Sequence, residues 1–181
     1  MSTSSAAAFV KRLSEAQIGS TFNFYAEGPG AALRRARLAE HLESLCDARI
    51  FLVGEAAGYR GARVSGLAFT SERQLTGTGP AEASATIVHG ALAELGMVED
   101  VLLWNVVPTH PHRPGEPLSN RVPTRSEAAE GLPFVEELAA GREVIAVGRL
   151  AARALGAPYV RHPSRGGATA FRAGLMELLD A

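Results

Sequence analysis

Cysteine is nearly absent from this chain: of 181 residues only Cys46 carries a thiol. One thiol excludes an internal disulfide, a multi-cysteine zinc site and a four-cysteine iron–sulfur cluster. It fits a reducing compartment, and a cytoplasmic location is expected. Lysine is equally scarce, Lys11 being the only one, so chemistry through a lysine Schiff base has no candidate near the motifs below. Long apolar runs are missing too. No stretch approaches the roughly 20 residues of a membrane span, and the opening MSTSSAAAFVKRL lacks the apolar core of a secretory signal. Net charge is only −1, so no global positive field advertises nucleic-acid binding, and any such surface has to be local.

What is present is the composition of a globular protein. Hydrophobic residues make up 46 % and charged residues 20 %, enough to bury a substantial core in one domain spanning residues 1–181. Residues 1–30 read as an N-terminal helical or loop extension. The basic residues other than Lys11 are all arginine, which suits bidentate phosphate contacts but also tracks genome composition.

Four short apolar runs read as buried parallel strands: Ile50-Phe-Leu-Val53, Val101-Leu-Leu-Trp-Asn-Val-Val107, Val144-Ile-Ala-Val147 and Tyr159-Val160. Near-continuous apolarity marks strands covered on both faces. Helix signals lie between them. Leu38, Leu42 and Leu45 form a stripe at helical spacing. Gly79-Pro80 opens a helix through about Leu95. Thr124-Arg-Ser-Glu127 is a capping box, with a break expected at Gly131 and a restart at Pro133. A short helix follows Gly148 and stops at Gly156, and a last one runs from Gly167 or Thr169 to Leu179. This alternation predicts an α/β fold: three αβα layers around a central four-stranded, mainly parallel sheet. Ligands of such sheets bind beyond the C-terminal strand ends.

Three of those four ends are chemically unusual, the exception being GRLAAR after the third strand. After the first strand, GEAAGYRG sets Glu55 among Gly54, Gly58 and Gly61, either a tight turn or a backbone cradle for a ligand. It matches neither the phosphate-loop nor the dinucleotide-binding pattern. Phe69, on a loop, is either a core residue or a stacking partner for a flat ligand. Asn105 interrupts a buried apolar run and must have its amide hydrogen-bonded. It either ties down a loop or reads a base edge, since a carboxamide offers a donor beside an acceptor. His110-Pro-His112 tempts a metal reading, but flanking prolines force extended backbone and no second ligand cluster supports it. After the last strand, RHPSRGG runs into a helix, where free N–H groups suit an anion. A Ser/His/Asp hydrolase fits poorly without a Gly-x-Ser-x-Gly elbow. From Pro108 to Arg125 the arginines outnumber acids, and with Arg161 and Arg165 they suggest a basic lip.

GEAAG, Asn105 and HPS, in that order on one sheet edge, resemble the uracil-DNA glycosylase superfamily across roughly residues 48–175. The first motif is similar to the GEAPG form of its thermophilic branch. The resemblance implies a DNA-repair glycosylase that flips uracil out of DNA and hydrolyses its N-glycosidic bond, acting as a monomer without a cofactor or metal. It implies that Glu55 and His162 are catalytic. Ala56, Tyr59, Phe69 and Asn105 would surround the base, with Tyr59 crowding its C5 side. Ser71, Ser164, Arg165, Gly166 and Gly167 would contact the backbone or the gap left by the base. Departures are visible. Ala56 occupies the place of the aspartate in the best-known branch, with the acid one residue earlier. The cluster cysteines are missing, and Arg165-Gly-Gly replaces the usual apolar wedge. Two alternatives stay open: a glycosylase for another deaminated base such as hypoxanthine or xanthine, and a non-catalytic binder of damaged DNA or nucleotide.

Overall fold

In the computed structural model, which describes residues 3–26 and 28–179, the chain enters through two helices, α1 (Thr3–Glu15) and α2 (Ala31–Ser44). Strand β1 (Ile50–Ala56) leads through two short helices, α3 (Ala62–Ser65) and α4 (Glu72–Thr76), to α5 (Ala83–Glu94) and β2 (Val101–Val107). Next come α6 (Arg125–Ala139), β3 (Glu143–Val147), α7 (Arg149–Leu155), β4 (Tyr159–Val160) and α8 (Ala168–Leu179). The four strands form one all-parallel sheet in the order β2-β1-β3-β4. The chain leaves β1 toward β2 and then crosses to β3 on the other side. The crevice at the C-terminal ends of β1 and β3 is therefore the switch point at which such sheets bind ligands.

Alternation along the strands divides two cores. Phe51, Val53, Leu102, Trp104 and Ala146 pack beneath α1, α2, α6 and α7. Ile50, Leu52, Leu103, Ile145 and Val147 pack beneath α5 and α8. The segment expected as an N-terminal extension lies within the first of these: Phe9, Leu13, Phe24 and Tyr25 are buried there, and the Tyr25 hydroxyl donates to the Gly66 carbonyl at 2.8 Å.

Two helix expectations need correction. The helix expected from Pro80 starts three residues later, with Glu82 as its N-cap, because the Pro80 carbonyl accepts from Arg73 N–H and closes the preceding loop. The break expected at Gly131 does not occur. Helix α6 runs through Pro133 unbroken, and Gly131 is where it presses on β2: a Cβ there would collide with the Val106 carbonyl. The glycine serves close packing rather than termination. The Thr124–Glu127 capping box is present as expected.

Candidate active site

The site is built on the face that carries the α5 core. Along β1, Ile50, Leu52 and Gly54 share that face, and Gly54 stands in register with Asn105 of β2. The missing side chain at Gly54 makes room for two others. A Cβ there would come 2.7 Å from Phe69 Cε2 and 2.8 Å from Asn105 Oδ1. Asn105 is 5 % exposed, lines a cleft of about 1250 Å³, and its carboxamide has no hydrogen-bond partner among the described residues. An Asn tying down a loop would show such bonds. A buried amide without them is poised for a ligand.

Phe69 belongs to both readings made of it. It packs in the α5 core at 6 % exposure, and its ring also lines the cleft. Its backbone is held at φ 50°, a conformation a bulky residue adopts only when its surroundings enforce it. Ser65 Oγ donates to the Thr70 carbonyl at 2.6 Å, Thr70 Oγ1 donates to the Ala68 carbonyl at 3.1 Å, and His89 Nε2 stands 3.1 Å from Thr70 Oγ1. This network clamps the loop on both sides of the ring.

His162 enters the cleft from the loop after β4, its ring centroid 6.3 Å from that of Phe69. Ser164 N–H donates to His162 Nδ1 at 3.1 Å, with Ser164 Oγ 2.9 Å from the same nitrogen. An Nδ1 that accepts from a backbone N–H carries no proton, so the neutral ring bears its proton on Nε2. Burial lowers the imidazole pKa below its usual 6.5, which favours that neutral donor. Glu55, half-buried at the end of β1, lines the same cleft with no partner for its carboxyl among the described residues, and burial raises its pKa.

Not every expected residue joins this group. Glu55, Ala56, Phe69, Asn105, His162, Ser164 and Arg165 line one cleft. Tyr59 does not: its ring lies under the Arg60 guanidinium at 5.3 Å, and its N–H donates to Asn120 Oδ1. Ser71 is buried as the N-cap of α4, its hydroxyl 2.8 Å from Gln74 Oε1, so it has no free group for a phosphate. Gly166 and Gly167 shape the loop rather than the lining. Gly166 sits at φ 75°, and a Cβ at Gly167 would collide with the His162 carbonyl. Ser164 faces the cleft, but its hydroxyl is first committed to His162.

The basic lip is smaller and differently placed than the sequence suggests. Arg121 is tied to buried Glu127 at 2.5 Å, and Arg113 pairs with Glu116 at 3.5 Å. Arg149, Arg161 and Arg165 line the cleft without an acidic partner among the described residues. His110 is also structural, its Nδ1–H donating to the Ala57 carbonyl at 2.8 Å. Among the described residues no cluster of three or more His, Cys, Asp or Glu could hold a metal ion, and no helix is long and apolar enough to cross a membrane.

Among the cleft residues missed from the sequence are Arg149 and Glu82. Arg149 opens α7 directly after β3, a strand end whose only signal was its position. Glu82 falls just after the Gly79-Pro80 helix start and carried no signal of its own.

A doubly wound parallel sheet with a cleft of this size at its C-terminal edge defines a ligand-binding α/β protein of the enzyme type. Residues 42–177 match the family model of the uracil DNA glycosylase superfamily. The chain belongs to that superfamily, whose members are DNA glycosylases, hydrolases of DNA repair that act on damaged DNA. Among solved structures, wild-type SMUG2 of Pedobacter heparinus shares the fold at a TM-score of 0.69 and 11 % identity, covering 97 % of this chain and 99 % of its own. No curated protein sequence matches the chain.

Proposed function

We propose that the protein is a monofunctional uracil-DNA glycosylase that extrudes the nucleotide from the duplex, because a glycosidic bond cannot be reached within the stack. The observation that carries this reading is the buried, unpartnered Asn105 carboxamide beside the Phe69 ring. Its N–H₂ and C=O suit the O4 and N3–H of a uracil ring stacked on Phe69.

The chemistry follows from the residues around that ring. As the N1–C1′ bond breaks, its electrons move into the base and negative charge gathers on O2. His162 meets that charge with its Nε2–H, a neutral fixed dipole that needs no proton transfer to act. The sugar becomes oxocarbenium-like. The Glu55 carboxylate stabilises it and orients the water that adds at C1′, taking the water's proton. Uracil leaves as an anion that is protonated from solvent, and the DNA keeps an abasic site. Without a lysine in the cleft, no covalent imine with the sugar forms and the strand is not cut. Arg149, Arg161 and Arg165 contribute phosphate contacts at the rim.

Release of free uracil from a labelled oligonucleotide tests the reading. No release from either single- or double-stranded substrate refutes it. Release of hypoxanthine or xanthine alone replaces uracil with another deaminated base. Salt-dependent binding without turnover, indifferent to Glu55→Gln, identifies a binder in place of an enzyme.

A further inference from the structure

The cleft is larger than a single base requires. Its volume of about 1250 Å³ exceeds the roughly 300–1,000 Å³ of most small-ligand sites, and the sheet divides it. Asn105, Phe69 and His162 occupy the side of the α5 core, to which Val147 and its partner Val160 also belong. The preceding pair, Ala146 and Tyr159, therefore points to the opposite face, where Ala146 packs in the core that includes α7. Tyr159 also lines the cleft, is 50 % exposed, and its phenol has no hydrogen-bond partner among the described residues. Arg149, the first residue of α7, lines the cleft from the same side.

Gly148 joins the two halves. It follows β3 at φ 91° and donates its N–H to the Val160 carbonyl at 2.8 Å. A Cβ there would stand 3.3 Å from that of His162, so its bare backbone abuts the base pocket, and Arg149 follows it in the chain. Tyr159 pairs with Ala146, two residues before Gly148, which puts the two α-carbons about 8 Å apart at ordinary strand spacings. That is a step of one or two nucleotides, whose stacked spacing is about 3.4 Å. An exposed tyrosine by itself is ordinary. This one shares the cleft with Arg149 and Arg161, neither of which has an acidic partner among the described residues. Arginines that hold phosphates beside an aromatic ring that stacks bases make up a track for a single strand.

We propose that Tyr159 is a stacking platform for a base beside the extruded nucleotide, one or two positions along the same strand, with Arg149 and Arg161 on the intervening phosphates. This rests on the glycosylase reading above. When a nucleotide leaves the stack, its neighbours each lose a covered face, and a ring at the cleft mouth covers one again. Because every base has a π-face, the platform accepts any sequence and sets no base preference.

The test places a propyl spacer, which keeps the phosphates but carries no base, at each of the two positions on either side of uracil in a single-stranded oligonucleotide. Loss of the stacked base should lower wild-type kcat/KM about fivefold or more at one of these positions. Tyr159→Ala should lose as much on the intact oligonucleotide and then be indifferent to that spacer, whereas Tyr159→Phe, which keeps the ring, should behave as wild type. A merely structural role for Tyr159 lowers activity on both oligonucleotides alike, and that result overturns the proposal. Wild-type indifference to the spacer at every position overturns it too. If the wild-type protein releases no base from any of these oligonucleotides, the glycosylase reading fails separately. The same comparison is then made by equilibrium binding, where a spacer effect that survives Tyr159→Ala, or no spacer effect at all, overturns the platform.

Discussion

Gly54→Ala probes the pocket with one methyl group. The glycine is not in the left-handed region, so alanine fits its backbone and the consequence is steric. The added carbon would stand 2.7 Å from Phe69 Cε2 and 2.8 Å from Asn105 Oδ1, well inside contact distance. Neither neighbour yields easily: Phe69 is clamped through Ser65 and Thr70, and Asn105 sits on a fully buried strand. Overpacking of this kind costs about 1–3 kcal/mol. For a domain of this size Tm then falls by roughly 2–12 °C. Activity should suffer far more, because moving the stacking ring and the reading amide by about 1 Å lowers kcat/KM on the order of 100-fold. Base release is to be measured at a temperature where variant and wild type are both folded. Leu138→Ala, in the opposite core, serves as the comparison. It should lose about 2–5 kcal/mol of stability while its folded fraction keeps its activity. A Gly54→Ala enzyme within about threefold of wild type, against the 100-fold expected, would refute the pocket as described.

If His162 acts as a neutral Nε2–H donor, kcat/KM stays level as pH drops through the ordinary histidine range and declines only below it, since burial lowers its pKa. Glu55, raised by burial, also titrates on the acid limb, so the His162 part is read from the residual activity of Glu55→Gln; a rate that climbs on acidification would point to an imidazolium instead. His41 is pushed down to about 4 by burial first and by His89 second. The unfolded chain therefore binds its proton near pH 6.5 while the folded one does not, and stability present above that pH is lost as pH falls toward about 4. Urea melts at about pH 7.5 and about pH 4.5 should show this loss, at most roughly 3 kcal/mol, and a flatter pH dependence in His41→Gln. Replacing Arg149, Arg161 or Arg165 by alanine should weaken DNA binding uniformly across sequences, each lowering the salt slope by about 0.9. Arg121→Ala should instead cost about 3–5 kcal/mol of stability, because it strands Glu127 buried without its counter-charge.

The strand positions, the sheet edge that carries the site and the three motifs on it were legible in the sequence because they depend on local signals. Continuous apolar runs imply strands covered on both faces, capping boxes start helices, and a polar residue inside a buried run needs a partner or a ligand. Asn105 stood out that way; Glu55 and His162 stood out as polar residues at strand ends, with roles implied only by the family resemblance. The tertiary structure decided which neighbours share the pocket, since that depends on residues far apart in the chain. Tyr59 lies beside the motif in sequence but turns away under Arg60, while Glu82, more than twenty residues later, fills the space left by Gly58 and Gly61. Composition counted Arg121 among the free cations, but a buried carboxylate at the start of α6 claims it. GEAAGYRG is a case of both: the sequence alone left it as either a tight turn or a cradle of small residues around one acid, and only the fold showed what the missing side chains make room for. At Gly54 that is Phe69 and Asn105; at Gly58 and Gly61 it is a second carboxyl. A glycine's vacancy is local, but its occupant comes from packing.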